Sequence, residues 1–173
     1  MASTTRRGTR LRTLLATGVA VVGCAAIGSL ATDPDSAYYR GLRKPEWQPP
    51  PLAFPLVWTP LYADIAGATA VALDELAAAD KTRERQQLVT AFAVNLGLNT
   101  AWSWLFFRVH RPWLAAAECA VLTVSSADLV RRVGAAKPSA GRVLAPYPAW
   151  CAFATALSVG IARRNEHIHL AGL

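Results

Sequence analysis

Tyr38-Tyr39-Arg40-Gly41-Leu42-Arg43-Lys44-Pro45-Glu46-Trp47-Gln48-Pro49-Pro50-Pro51 leads, through Phe54, into Val57-Trp58-Thr59-Pro60-Leu61-Tyr62. The first half is a loop carrying cations and aromatic rings, and the second half enters a long apolar run. Pro45, Pro49, Pro50 and Pro51 fix φ and bias the residues before them toward extended backbone, so the loop is semi-rigid. Two readings of it stand. A stiff, cationic, aromatic loop feeding an apolar helix suits a lid over a site. Trp and Tyr also gather at membrane interfaces simply because their rings are amphipathic.

Around this stretch the charges are sparse and segregated. The 173 residues are 53% hydrophobic and 17% charged, against about 25% charged in soluble domains. The charges sit in short clusters between apolar runs long enough to cross a bilayer, which predicts a polytopic membrane protein. A net charge of +7 would suggest nucleic acid in a soluble chain. Here it is expected to anchor cytoplasmic loops, and no nucleic-acid partner is expected. Cys24, Cys119 and Cys151 lie inside apolar runs without Cys-x-x-Cys spacing and are expected as small buried hydrophobes. His110, His167 and His169 have no helical partner four residues on, so no metal site is expected. No zinc, P-loop or dinucleotide signature occurs.

Five spans are expected, at about 13–31, 54–73, 88–107, 112–130 and 143–162, in a single membrane domain covering 1–173, with residues 32–53 as the lid loop. The first run follows a basic segment, Arg6, Arg7, Arg10 and Arg12. A signal peptide has the same order, and Val21-Val22-Gly23-Cys24 resembles a lipoprotein cleavage box. The run is longer than a usual signal core, and the expectation is a retained first helix. Pro55 suits the first turn of the second span, and Pro60 is expected to kink it or widen one turn.

Alternating the connectors between two sides places Arg6, Arg7, Arg10, Arg12, Lys81, Arg83, Arg85, Arg131, Arg132, Lys137 and Arg142 together, 11 of the 18 Lys and Arg. Arg40, Arg43, Lys44, Arg108, Arg111, Arg163 and Arg164 fall on the other side. The positive-inside rule then puts the N-terminus in the cytoplasm and the first loop outside.

At about 100° per residue, the third span presents Ala93, Gly97 and Ala101 as a small-residue stripe, which suits a dimer face or ordinary close packing. Asn95, Asn99, Trp102 and Phe106 lie on roughly the opposite side. The Asn pair must be satisfied within protein, either as interhelical glue or as the polar wall of a pocket. Trp58, Leu61, Tyr62 and Ile65 share a face of the second span, and Trp150, Phe153, Ala154, Leu157 and Ser158 share a face of the fifth. If these faces converge they form an apolar, aromatic pocket with few polar anchors; otherwise they are plain core. Glu118 and Asp64 are ionisable groups at membrane depth and so functional candidates. Asp128 is expected to pair with Arg131 and Arg132.

The motifs Tyr39-x-x-Leu42-x-Lys44-Pro45-x-Trp47-x-Pro49-Pro50, Val57-Trp58-x-x-Leu61-Tyr62, Leu98-Asn99-x-x-Trp102, Phe106-Phe107 and Pro146-Tyr147-x-x-Trp150-x-x-Phe153-Ala154 resemble the tryptophan-rich sensory protein / translocator protein family. The resemblance covers roughly residues 15–165. It implies an all-α membrane protein, a five-transmembrane-helix bundle, commonly a homodimer; the expected location is a bacterial cell membrane. It also implies binding of porphyrins, with no covalent cofactor, in a pocket under the first loop. Trp58 and Trp150 match pocket tryptophans that members use in light-dependent porphyrin breakdown, and Asn99 and Ala154 match pocket-lining positions. The stripe Ala93, Gly97, Ala101 matches the dimer face.

Some positions depart from the family pattern. Tyr38 stands where Trp is usual, Asn95 where Gln is frequent, and Glu118 in place of a helix-four Asp. The fifth helix lacks the Tyr of the sterol motif of animal members at Leu157-Ser158-Val159.

The candidate ligand-binding set is therefore Tyr39, Trp47, Pro50, Trp58, Tyr62, Asn95, Asn99, Trp102, Glu118, Trp150, Phe153, Ala154 and Leu157. Arg40, Arg43 and Lys44 are candidates for porphyrin propionates. The expected partners are a porphyrin or other hydrophobic small molecule, membrane lipid and a second copy of the chain. The expected role is transport or stress sensing. The alternatives are Trp-dependent photo-oxidation of the bound porphyrin and a non-catalytic stress regulator.

Overall fold

The computed structural model describes residues 2–166, with side chains from Gly8 onward. His167 and His169 lie outside the described residues. The described chain forms seven helices, α1 Ala2–Ala31, α2 Ala37–Gly41, α3 Ala53–Ala78, α4 Thr82–Phe107, α5 Pro112–Ala136, α6 Pro138–Leu144 and α7 Pro146–Arg164. Prolines open α5, α6 and α7, where their missing N–H costs no hydrogen bond and their φ already suits a helix. Pro60 sits inside α3, and the helix runs on past it.

Among the described residues four stretches are both long and apolar enough to cross a bilayer: Gly8–Ala31, Ala53–Ala78, Pro112–Ala136 and the near-continuous Pro138–Arg164. At 24 to 27 residues they extend roughly 36–40 Å, beyond the ~30 Å hydrocarbon core. The expected span 88–107 lies in α4, which has the length at 26 residues but not the apolarity. Its first turns are charged, and Asn95, Asn99, Thr100 and Ser103 dilute the rest.

Several helices outrun their expected bounds. Residues 74–78 and 82–87, expected as connector, are helical, and so is most of 131–142. The turn between α3 and α4 is consequently tight. Asp80 takes a left-handed φ of 53°, while the N–H groups of Lys81 and Asp80 donate to the carbonyls of Leu76 (2.9 Å) and Ala77 (3.2 Å). These bonds satisfy the last carbonyls of α3 in a Schellman closure.

α5 packs most extensively on α7 and α4, and α1 packs along α3 and α4. Thr17 Oγ1 donates to the Ala66 carbonyl (3.0 Å) and Thr13 Oγ1 to Asp74 (2.7 Å), fastening α1 to α3. At the α5–α6 corner the backbones nearly touch, since a Cβ on Gly141 would lie 2.5 Å from Gly134 Cα. Asp128 pairs with Arg131 and Arg132, each at 2.6 Å, as expected from their spacing.

Candidate functional site

The two Trp-bearing faces do converge. Together with α1, α4 and α5 they enclose a cavity of roughly 480 Å³ beneath the proline-rich loop. From α3 come Phe54, Trp58 and Tyr62; from α4 Asn99, Trp102, Phe106 and Phe107; from α7 Trp150, Cys151, Ala154, Leu157 and Ser158. α5 adds Cys119 and Leu122, and the loop closes the top with Tyr39, Gln48 and Pro51. α1 supplies Ala25, Gly28, Ser29 and Thr32, small residues that leave room between the aromatic walls.

The rings are ordered against one another. Trp58 stacks on Tyr62 at 5.3 Å between centroids, and Trp102 stacks on Phe106 at 5.3 Å. Trp150 stacks on Phe153 at 5.2 Å and meets Phe54 edge-on at 6.1 Å. Offset and edge contacts of this kind rigidify a wall beyond what area burial alone provides. Trp102 Nε1 donates to Ser158 Oγ (3.3 Å). Trp150 Nε1 is buried with no acceptor among the described residues.

Behind the rings runs a polar chain. Tyr62 Oη donates to Asn99 Oδ1 (2.8 Å), and Asn99 Nδ2 donates to Tyr147 Oη (3.3 Å). Tyr147 Oη donates to Asn95 Oδ1 (2.9 Å), and Asn95 Nδ2 donates to Ser125 Oγ (3.2 Å) and Ser126 Oγ (3.3 Å). The two readings of the Asn pair thus divide between its members. Asn95 is interhelical glue linking α4, α5 and α7, whereas Asn99 both joins helices and lines the cavity. Tyr147, fully buried at 0% exposure, is the hub that the sequence reading missed. Its signal was present: Tyr147, Trp150, Cys151 and Ala154 fall on one helical face at i, i+3, i+4 and i+7.

Of the candidate set, Tyr39, Trp58, Tyr62, Asn99, Trp102, Trp150, Ala154 and Leu157 line the cavity. Trp47, Pro50, Asn95, Glu118 and Phe153 do not. Trp47 is 49% exposed and lies edge-on to Phe153 at 5.9 Å, so it braces the wall from outside. Pro51 takes the place expected of Pro50. Glu118 neighbours the lining residue Cys119, and both its carboxyl oxygens are buried without a hydrogen-bond partner among the described residues. Arg40 and Arg43 point into solvent, and Lys44 Nζ sits 3.8 Å over the Tyr39 ring, a cation–π contact that stiffens the roof. Ala93 and Gly97 are exposed on the outer face of α4 and Ala101 is half-buried there. All three cysteines are buried and free, as expected, but Cys119 and Cys151 also face the cavity. No group of three metal-ligating side chains occurs among the described residues.

The loop is fastened at a point the sequence reading passed over. Asn165, 1% exposed at the end of α7, accepts from the Arg43 N–H (2.9 Å) and donates to the Arg43 carbonyl (2.9 Å) and the Ile161 carbonyl (2.7 Å). Beside it Pro45 and Trp47 lie on Gly160, where an added Cβ would meet them at 3.0 and 3.3 Å.

The chain is similar to curated proteins along most of its length. It is 32% identical over 146 residues to "Tryptophan-rich protein TspO" of Chlorobaculum tepidum, covering 82% of this chain and 90% of that one. It is 30% identical over 152 residues to "Tryptophan-rich sensory protein" of Cereibacter sphaeroides, covering 88% and 91%. It is 30% identical over 129 residues to human "Translocator protein", covering 75% of each. The model of the TspO/MBR family matches residues 16–164, which include every residue that lines the cavity, and on that match together with these likenesses the chain belongs to the TspO/MBR family.

Proposed function

We propose that this integral membrane protein binds a flat, largely apolar small molecule of the porphyrin class in the cavity under the loop, for transport or stress sensing. The observation that carries the reading is that Trp58, Trp102 and Trp150, from three separate helices, line one cavity. Its roughly 480 Å³ falls within the ~300–1,000 Å³ usual for small-molecule sites, and its polar anchors are few. Indole faces would stack on a tetrapyrrole ring. Tyr39, Gln48, Ser29 and Thr32 give the upper end the polar groups that propionates need, with Arg40 and Arg43 at the loop surface above.

In this reading α4 is the fifth crossing, its asparagines turned inward where Tyr62 and Tyr147 satisfy them. The outward Ala93, Gly97, Ala101 stripe serves a homodimer, and the N-terminus lies in the cytoplasm of a bacterial cell. Protoporphyrin quenching of Trp fluorescence tests the site in detergent. Trp58→Phe/Trp150→Phe is expected to weaken binding, and unchanged affinity in that variant refutes the assignment.

A second reading adds chemistry to the same site. Trp58 and Trp150 both stand at the cavity wall, where oxidisable indoles beside a photosensitiser would support light-driven oxidation of the bound porphyrin by dioxygen. Product spectra after illumination test this reading, and turnover that survives loss of both indoles refutes it.

A further inference from the structure

A second concavity, of roughly 520 Å³, opens on the outside of the bundle between the first turns of α4 and the last turns of α5. On α4, Arg83, Gln86, Gln87, Thr90 and Val94 face it, and on α5, Ser125, Asp128 and Arg132. The spacings, 83-86-87-90-94 and 125-128-132, each trace one helical face. Asp128 is already neutralised, because its Oδ1 accepts from Arg131 and its Oδ2 from Arg132 Nε. Arg132 keeps its two terminal nitrogens unengaged among the described residues, and Arg83 forms no ion pair there. Asp128 is therefore paired with two arginines, while Arg83 lines the same concavity. Ser125 Oγ accepts from Asn95, leaving its own hydrogen to donate.

Toward the middle of the bundle the polar groups give way to exposed Val94, Val121 and Val124, the last two on the α5 face of Asp128. In the topology expected from the sequence, the groove lies on the side that carries 11 of the 18 Lys and Arg, which the positive-inside rule gives to the anionic leaflet. Paired arginines at a groove between helices, with an apolar runway leading into the bilayer, match a phosphodiester headgroup with its acyl chain. Arg suits this because its planar fork takes two phosphate oxygens at once.

We propose that this groove is a binding site for an anionic phospholipid. Arg83 and Arg132 hold the headgroup phosphate, and one acyl chain lies along Val94, Val121 and Val124. The site is separate from the aromatic cavity and does not rest on what that cavity holds.

The test is native mass spectrometry of the purified full chain with equimolar phosphatidylglycerol and phosphatidylcholine. The wild type is expected to retain phosphatidylglycerol preferentially. Arg83→Gln should cut that preference about fivefold, and Arg83→Gln/Arg132→Gln about 25-fold, since each lost side-chain hydrogen bond to the phosphate is worth about a fivefold effect. Arg10→Gln/Arg12→Gln, on the same side of the bundle but outside the groove, should leave it unchanged. Equal retention of the two lipids by the wild type overturns the proposal. So does an equal loss in the Arg10/Arg12 variant, which would mark mere surface charge. Complete displacement of the lipid by millimolar inorganic phosphate also overturns it, by making the groove a free-anion site. Arg83 is exposed and unpaired, so its single variant remains informative if the double variant fails to fold.

Discussion

Among the described residues the loop over the cavity is hydrogen-bonded to the end of α7 through one side chain, Asn165, and its removal has a calculable consequence. Asn165→Ala deletes both hydrogen bonds to Arg43 and the anchoring bond to the Ile161 carbonyl. The Ile161 bond orients the amide within α7 and does not cross to the loop, so two bonds count toward loop closure. Arg43 is exposed, so its freed N–H and carbonyl turn to water and the loss is the net value of a hydrogen bond. At about 1 kcal/mol each, closure weakens by about 2 kcal/mol, or roughly 30-fold in the open-to-closed ratio. The loop keeps its other attachments: Leu42 stays buried, Tyr39 stays on Phe107, and Pro45 and Trp47 stay on Gly160. The fold is therefore expected to survive with its far-UV spectrum intact.

Two assays read the change. Hydrogen exchange of the Arg43 amide should accelerate roughly 30-fold, a readout that needs no guest in the cavity. Stopped-flow release of a bound porphyrin should speed up by up to the same factor, with association less affected. Gly160→Val, which drives a branched side chain into Pro45 and Trp47, should loosen the same seam by a different route. Exchange at Arg43 that matches wild type in a folded Asn165→Ala protein would refute the latch. Faster exchange with unchanged porphyrin release would keep the latch but disconnect it from the cavity.

Other outcomes follow from the same geometry. Tyr147→Phe removes the hydroxyl shared by Asn95 and Asn99 and leaves buried amide groups unpaired, so it should lower stability by about 1–3 kcal/mol in a reversible denaturant titration. Tyr62→Phe breaks only the terminal bond of that chain and should cost about 1 kcal/mol. Gly141→Ala would set a Cβ 2.5 Å from Gly134 Cα; backbone cannot yield as a side chain does, and a loss of about 1–3 kcal/mol is expected by thermal melting.

Tyr38 provides a pH signature. Burial pushes its phenol up to about 12, so as pH rises past 10 the unfolded chain ionises there while the folded chain does not. Stability should fall between pH 10 and 12, and Tyr38→Phe should flatten that limb, since its hydroxyl has no hydrogen-bond partner among the described residues.

Why the sequence disclosed the lid and its aromatic walls, but neither the latch nor the hub, follows from the physics of each. Prolines and helical periodicity are local signals. The stiffness of 45–51 and the shared face of Trp58 and Tyr62 need no knowledge of the partner helix. The apolar runs likewise marked α1, α3, α5 and α7 with α6, because a bilayer selects for length and apolarity residue by residue. α4 was marked by the uncharged run 88–107, although Asn95, Asn99, Thr100 and Ser103 leave it less apolar than the other four stretches. Its asparagines are satisfied inside the bundle because Tyr62, Tyr147, Ser125 and Ser126 arrive from three other helices.

Those partnerships are separated in the chain by 30 to 52 residues, and no local pattern encodes them. Asn165 is the extreme case, a single polar residue after Arg163-Arg164 that reads as solvated tail until Arg43, 122 residues earlier, closes on it. The same logic explains why the loop cations were placed on the cavity in expectation and above it in fact. Charge identifies what a loop could bind, but the direction a side chain takes depends on where the loop is fastened. With Arg43 gripped through its backbone and Lys44 drawn over Tyr39, the cations form the outer rim of the cap and its inner surface is left to Tyr39, Gln48 and Pro51.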